Sequence, residues 1–191
     1  MEERFIDDEV FNKIDFTKNR LEKGEYDSCT FINCDFSNSN TSEIRFINCE
    51  FKDCNLSSAN IFNTSFQDVI FQDCKMLGIN FEKCSDFAFS IKIDTCQLNH
   101  ASFYQKKLSK TTFKNSKLNA VDFTESMLSD SIFDNCDLLN ATFENTNLKG
   151  ADFKNSVNFI IDPEKNIIEN AKFSLQSVIG LLTKYNIKIT D

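Results

Sequence analysis

Residues 101–133 read ASFYQ KKLSK TTFKN SKLNA VDFTE SMLSD SIF, and the third residue of each group of five is Phe or Leu. The same step of five runs from Phe11 to Phe81 and, two positions out of phase, from Ile93 to Phe153. Of the 21 Phe in the chain, 15 lie on these two series, which chance placement would not produce. A short fixed period of this kind is typical of a repeat architecture.

The position two residues before each centre is mostly small, and all eight Cys occupy it. Lys106 is the one charged residue in this phase from Cys29 onward. Because free Cys is among the most buried residue types, we expect these thiols to pack as small apolar side chains and not to form disulfides. No C-x-x-C pair exists, and the single His, His100, is predicted to point outward, so no metal or other cofactor is expected.

The period of five also decides between helix and strand. Steps of five advance by about 140° around an α-helix and scatter the centres, which excludes a long helix. Residues two apart share a face of an extended segment, so each small residue and its following centre point the same way on a short strand. The chain must then bend within every pentapeptide to keep both inside. The sequence therefore predicts an all-β solenoid whose backbone groups bond to the coils above and below.

Several of these units resemble the A(D/N)LXX motif of the pentapeptide-repeat proteins: Cys34-Asp35-Phe36, Cys54-Asn55-Leu56, Ala59-Asn60-Ile61, Cys136-Asp137-Leu138 and Ala151-Asp152-Phe153. The resemblance covers roughly residues 11–173. It implies a right-handed quadrilateral β-helix of about seven coils, each coil made of four pentapeptides. One column of stacked rings is then expected at Phe11, Phe31, Phe51 and Phe71, and another at Phe103, Phe123 and Phe143.

Length, composition and charge limit the remaining choices. The chain has 191 residues, 41% apolar and 26% charged, which suits one globular domain. Its net charge of -8 is carried by residues 1–99, with 18 acids and 10 bases, whereas residues 100–191 hold 11 of each. The lack of a dense Lys/Arg tract argues against direct nucleic-acid binding. No segment resembles a signal peptide or membrane span, so we expect a cytoplasmic protein that does not enter a membrane.

Two segments depart from the repeat. Phe81 and Ile93 are 12 residues apart instead of 10, so two extra residues enter within 82–92, in a bulged coil that could expose Phe87 or Phe89. We predict a β-helix over residues 1–173 and a C-terminal element over 174–191, a helix from Ser174 and a short strand. This element is interpreted as a lid on the last coil or, alternatively, a two-fold dimer contact. Its apolar residues are Leu175, Val178, Ile179, Leu182 and Tyr185 in the helix, and Ile187 and Ile189 in the strand.

Nothing in the sequence has the pattern of an active site. No Gly-rich phosphate loop is present, and the lone His has no candidate nucleophile beside it, so we do not expect an enzyme. The resemblance implies an interaction protein, since acidic members of the Qnr, MfpA and microcin-immunity type mimic DNA and bind DNA gyrase or topoisomerase IV, giving quinolone resistance or toxin immunity. The alternative is a scaffold with an unrelated partner. The candidate partner-binding residues are Glu43, Glu50, Asp53, Asp68, Asp73, Phe87 and Phe89.

Overall fold

The computed structural model describes residues 4–190, and most of its regular structure is short parallel strands joined by tight corners. One sheet has four strands, ordered along the rod as β1 (Arg4–Asp7), β3 (Gly24–Asp27), β5 (Arg45–Ile47) and β7 (Ser65–Gln67). The second sheet has seven, ordered as β2 (Val10–Asn12), β4 (Thr30–Ile32), β6 (Glu50–Lys52), β8 (Val69–Gln72), β9 (Ile91–Asp94), β10 (Thr112–Lys114) and β11 (Ile132–Asp134).

Single parallel bridges form the other two sides of each coil. One series of bridges runs from Asp15 to Val157 and another from Asn80 to Thr142. Successive levels are 20 residues apart, as where Phe31 lies opposite both Phe11 and Phe51. The chain is therefore a right-handed quadrilateral β-helix of about seven coils, as the resemblance implied. Seven steps of about 4.8 Å make a rod on the order of 34 Å long.

Each pentapeptide turns at a residue with positive φ, two positions after the buried centre. Asn33 (φ 53°), Asp53 (φ 54°) and Asn135 (φ 53°) are examples, and Gly78 and Gly150 occupy the same position elsewhere. This left-handed region costs an ordinary L-residue about 1–2 kcal/mol, and Asn, Asp and Gly tolerate it best. Repeated Asn and Asp thus let a chain with only four Gly turn at nearly every fifth residue.

Stacked phenyl rings fill the interior. Phe51 shows the pattern: its ring centroid lies 4.7 Å from that of Phe31 and 5.1 Å from that of Phe71, nearly parallel to both. Edge-to-face contacts to Phe36 and Phe46 at 5.7 and 5.2 Å join this column to its neighbours. Both predicted ring columns are confirmed, and the parallel pairs are held at the strand spacing because the coils are in register.

The eight Cys line the corners of this interior, and all are buried and free, as the shared phase predicted. Cys34, Cys54, Cys74 and Cys96 form one file on successive coils. Each of these thiols lies near two backbone carbonyls, such as those of Phe31 and Lys52 for Cys54, both at 3.3 Å. Exclusion from water raises the pKa of the thiols of Cys49 and Cys136, which lie outside that run, to about 12.

The register break is a bulged coil, as predicted. Val69 of β8 pairs with Ile91 of β9, a separation of 22 residues, so both extra residues enter before Ile91. A short 3₁₀ turn at Phe81–Lys83 precedes the break. Residues 85–90, which we call the Phe87 loop, then leave the outline of the coil, with Ala88 at a φ of 50°. The four-stranded sheet ends at β7 because this loop occupies its next level.

The C-terminal element differs from the prediction, because no α-helix begins at Ser174 and residues 187–190 form no strand. The segment forms 3₁₀ turns at Val178–Leu181 and Thr183–Tyr185. Ser174 and Ser177 do cap each other's backbone N–H groups, at 3.2 and 3.1 Å, but the run is too short to sustain an α-helix and is held by contact with the last coil. The tail has no neighbouring strand with which to pair.

The docking contact of this element is Gly180, whose carbonyl accepts a hydrogen bond from the Ile161 N–H at 3.1 Å. Leu181 packs against the core beside it, whereas Val178 and Leu182 are half-buried. The other five predicted apolar residues are exposed: Leu175, Ile179, Tyr185, Ile187 and Ile189. The turns therefore reach the last coil through Gly180 and Leu181, and not through the stripe that helical spacing would have presented.

Candidate functional site

One side of the rod collects most of the acidic residues of the first half. We define the acidic face as the outer surface of the seven-stranded sheet and its two corners, from β2 to β9. Its carboxylates are Asp7, Asp8, Glu9, Asp27, Glu50, Asp53, Asp68, Asp73 and Asp94, and its cations are Lys13, Lys52 and Lys92. The strand register brings these side chains together, because each coil presents its outward positions at the same place.

Four of the predicted partner-binding residues lie on the acidic face. Glu50 pairs with Lys52 at 2.8 Å, and Asp68 accepts a hydrogen bond from the Ser90 hydroxyl at 2.8 Å. Asp53 and Asp73 occupy the same corner on successive coils, both exposed and both at positive φ. Like charges at such neighbouring positions repel each other, and Asn fits the same backbone without that cost.

The fifth predicted carboxylate, that of Glu43, lies on a different corner. It forms an ion pair with Lys23 and borders a concavity of about 560 Å³ on the outside of the four-stranded sheet. Ile47 and Gln67 line this concavity, and Phe87 lies on its border. The structure thus places Glu43 with Phe87, apart from the other four acids.

Phe87 is 76% exposed, the highest value for any aromatic side chain in residues 4–190. Its loop is fixed at both ends by backbone hydrogen bonds to the coil below: Ser85 N–H donates to the Thr64 carbonyl at 2.9 Å, and Ser90 N–H donates to the Phe66 carbonyl at 3.0 Å. The loop is therefore a fixed projection that holds an aromatic ring in solvent.

Phe89, the other predicted aromatic, turns inward instead. Its ring is half-buried and contacts the Phe81 ring edge-on at 6.1 Å. Lys106 lies over the same ring, with its Nζ 5.3 Å from the centroid. Phe89 accordingly supports the loop from beneath and is not part of the exposed surface.

Lys106 is the residue whose role the sequence did not reveal. Only 1% of it is exposed, and its Nζ donates hydrogen bonds to the Cys84 carbonyl at 2.8 Å and to the Asp86 carboxylate at 2.6 Å. The available signal was its charge in a phase that otherwise points inward. The ammonium lies at the point where the coil widens and ties the Phe87 loop to the next coil.

A second surface lies at the C-terminal end of the rod, where a groove of about 580 Å³ separates the last coils from the 3₁₀ turns. Exposed apolar side chains line it, namely Leu139, Val157, Ile160 and Ile179. The first three sit at outward repeat positions that elsewhere are mainly polar, a departure that periodicity alone does not interpret. The groove is the most apolar concavity of the described chain.

Two observations concern the other predictions. No cluster of three or more His, Cys, Asp or Glu within residues 4–190 has the geometry of a metal site. No helix in that range is long and apolar enough to cross a membrane. His100 is exposed, as its phase indicated.

Comparison with known proteins agrees with the β-helical geometry. A model of the pentapeptide repeat region matches residues 24–92 and 89–157, more than half of the chain. This chain belongs to the pentapeptide-repeat family. No curated protein matches this pentapeptide-repeat protein significantly in sequence.

Solved structures are similar in fold. Full-length QnrB1, a plasmid-mediated fluoroquinolone resistance protein, superposes with a TM-score of 0.64 at 19% identity, over 97% of this chain and all of QnrB1. HetL, involved in heterocyst differentiation regulation in the cyanobacterium Nostoc sp. strain PCC 7120, gives 0.50 at 11% identity, over 87% of this chain and 86% of HetL. Both support a shared β-helix for this pentapeptide-repeat protein.

Proposed function

We propose that this chain is a non-enzymatic interaction module whose acidic face mimics DNA. In this proposal it binds a type II topoisomerase, either DNA gyrase or topoisomerase IV, and inhibits that enzyme or protects it from quinolones or toxins. The observation that carries the proposal is the alignment of nine carboxylates against three ammonium groups on one side of five successive coils. The protein itself does not bind DNA in this proposal.

The charge density of the acidic face supports this role. Nine carboxylates less three ammonium groups leave six net negative charges, spread over four steps of about 4.8 Å, or about one charge per 3 Å. Duplex DNA carries one charge per about 1.7 Å of its axis. The face therefore has roughly half the linear charge density of DNA, enough to steer it toward a basic groove at low ionic strength.

Similarity to QnrB1, a fluoroquinolone resistance protein, supports the choice of partner at the level of the fold. The family resemblance supplies the rest of that choice, since acidic members bind topoisomerases. The family also motivates the proposal that two copies dimerise through the C-terminal end, where Leu175, Ile179 and the apolar groove are exposed. Light scattering of the wild type and of Ile179→Asp tests this contact, and a monomeric wild type would contradict it.

The same groove favours the alternative function, a scaffold with an unrelated partner. An apolar concavity lined by Leu139, Val157 and Ile160 suits a partner that buries hydrophobic surface better than it suits a DNA-binding groove. In this alternative the acidic face maintains solubility and makes no specific contact. The two functions predict opposite results when the carboxylates are neutralised.

The deciding experiment titrates the protein into a gyrase supercoiling assay with and without a quinolone. We expect dose-dependent inhibition or rescue that is lost on neutralising three carboxylates of the acidic face, as in Glu50→Gln, Asp53→Asn and Asp73→Asn combined. The matched control neutralises three exposed carboxylates of the balanced half: Glu125→Gln, Asp130→Asn and Glu144→Gln. Equal potency of both variants, or no effect of the wild type, would contradict topoisomerase mimicry and leave the scaffold function.

A further inference from the structure

The Phe87 loop has a feature that folding of the coil does not require. To hold this loop the protein buries the ammonium of Lys106, although the same position elsewhere carries Cys, Ser, Thr or Ala. Removing an ammonium from water is costly and is offset only by good hydrogen bonds, here to the Cys84 carbonyl and Asp86. The product of this arrangement is a rigid loop with Phe87 in solvent. We infer that the display of that ring has a use in binding.

The chemistry around Phe87 indicates what binds. Carboxylates outnumber cations around the concavity and its margins, with Glu25, Asp27, Glu43, Asp68 and Asp86 against Lys23 and Arg45. The face of an aromatic ring attracts a cation, and neighbouring carboxylates strengthen that attraction. Ile47 on the floor offers an apolar contact for an aliphatic stem. A long, cationic side chain fits all three features.

We propose that Phe87 and the adjoining concavity form a subsite for an arginine side chain of a protein partner. The planar guanidinium stacks on the Phe87 ring and donates to the Glu43 carboxylate, a combination that the compact ammonium of lysine matches less well. Glu43 is available because its present partner, Lys23, is half-exposed, and ion pairs between exposed side chains are weak. Lys106 and Asp86 act as positioning residues that keep the ring in place.

This proposal rests on the protein-binding role but not on a topoisomerase as the target. A partner with a basic surface would place arginine here while its other cations meet the acidic face on the adjacent side of the rod. The subsite would then supply orientation, and the acidic face long-range attraction.

The test is an NMR titration of the full chain with hexaarginine and hexalysine peptides. We expect hexaarginine to shift the amide signals of the Phe87 loop, and Phe87→Ala to weaken its affinity about fivefold to thirtyfold, the range of a cation–π contact. The control Phe62→Ala removes another exposed ring, outside the concavity, and should leave the affinity unchanged. Hexalysine should bind more weakly and lose less on Phe87→Ala.

Lys106→Met separates positioning from folding, since Met keeps most of the aliphatic stem. We expect faster hydrogen exchange in the loop and weaker hexaarginine binding, with amide shifts elsewhere in the chain unchanged. The proposal is overturned if hexaarginine shifts only the acidic face, if Phe62→Ala weakens binding as much as Phe87→Ala, or if hexalysine binds equally well. A negative gyrase assay combined with a positive peptide titration rejects the topoisomerase while retaining the subsite, and the reverse combination rejects the subsite alone.

Discussion

Gly180 gives the sharpest test of how the C-terminal element is built, because Gly180→Ala has opposite expected signs in an α-helix and in the observed 3₁₀ turn. In a helix interior, Ala is favoured over Gly by about 1 kcal/mol, so the substitution would stabilise the protein. In the structure, the added Cβ would lie 2.8 and 2.9 Å from two ring atoms of Phe159 and closer still to its carbonyl oxygen. Contacts that short force the backbone to move.

Phe159 cannot easily move to make room. It is 3% exposed, and its ring packs 5.4 Å from that of Phe153 and 5.6 Å from that of Phe173. The 3₁₀ turn must therefore shift outward, which also stretches the hydrogen bond from the Ile161 N–H to the Gly180 carbonyl. Overpacking of this kind costs about 1–3 kcal/mol, and the weakened hydrogen bond about 1 kcal/mol more.

Urea unfolding followed by circular dichroism measures the global effect, and hydrogen exchange at the Ile161 amide reports whether the element detaches locally. We expect Gly180→Ala to lower the free energy of unfolding, or of local opening, by about 2–4 kcal/mol. Gln176→Ala, an exposed change in the same segment, is the control and should stay within about 0.5 kcal/mol. A stabilised Gly180→Ala protein would refute the docking geometry and restore the α-helix that the spacing predicted.

Three further predictions concern the coils. Phe51→Ala should cost about 3–5 kcal/mol and Phe51→Leu about 1–2 kcal/mol in urea unfolding, because Phe51 makes four ring contacts; equal costs would contradict the stacking. Asn33→Val should lower the free energy of unfolding by about 1–2 kcal/mol while Asn33→Gly changes it little, and a tolerated Val would contradict the left-handed corner. Native protein should react slowly with a thiol reagent and show eight thiols when denatured. Because burial raises the pKa of Cys49 and Cys136 from 9 to about 12, stability should be constant below pH 9 and fall as the pH rises toward 12; a flat profile over pH 9–12 would oppose this.

The sequence predicted the interior well because every coil repeats one physical solution. Phe31 and Phe51 belong to the same column through their spacing alone, and Cys34 and Cys54 to the same file. A side chain that faces inward in one coil faces inward in the next, so a single correct phase places dozens of residues. The positive φ at Asn33 follows from the same regularity, although its value required the structure.

The departures from the repeat were less predictable, since no periodicity constrains them. The count of two extra residues located the bulge, but only the structure shows that Phe87 points outward while Phe89 turns toward Lys106. The C-terminal spacing of Val178 and Leu182 suggested a helix because apolar periodicity does not register a docking contact through Gly180. Such contacts depend on neighbours distant in sequence.

The candidate site falls between these two cases. Outward positions share a phase, so the sequence identifies exposed carboxylates, but it cannot tell which corner of the coil each one occupies. Glu43 and Glu50 are seven residues apart and lie on different sides of the rod, whereas Asp53 and Asp73 are 20 apart and adjacent. Knowledge of the coil length converts a list of acids into a surface.

That surface shows where folding and function separate. The corner occupied by Asp53 and Asp73 requires a residue that tolerates positive φ, and Asn meets this requirement at Asn33 and Asn135 without charge. Two stacked carboxylates repel each other, so folding alone favours Asn at both positions. Neutralising the pair should therefore leave the stability unchanged or slightly raised while weakening partner binding. A coincident loss of stability and binding would mean that these acids serve the fold, and the acidic face would lose its claim to a separate role.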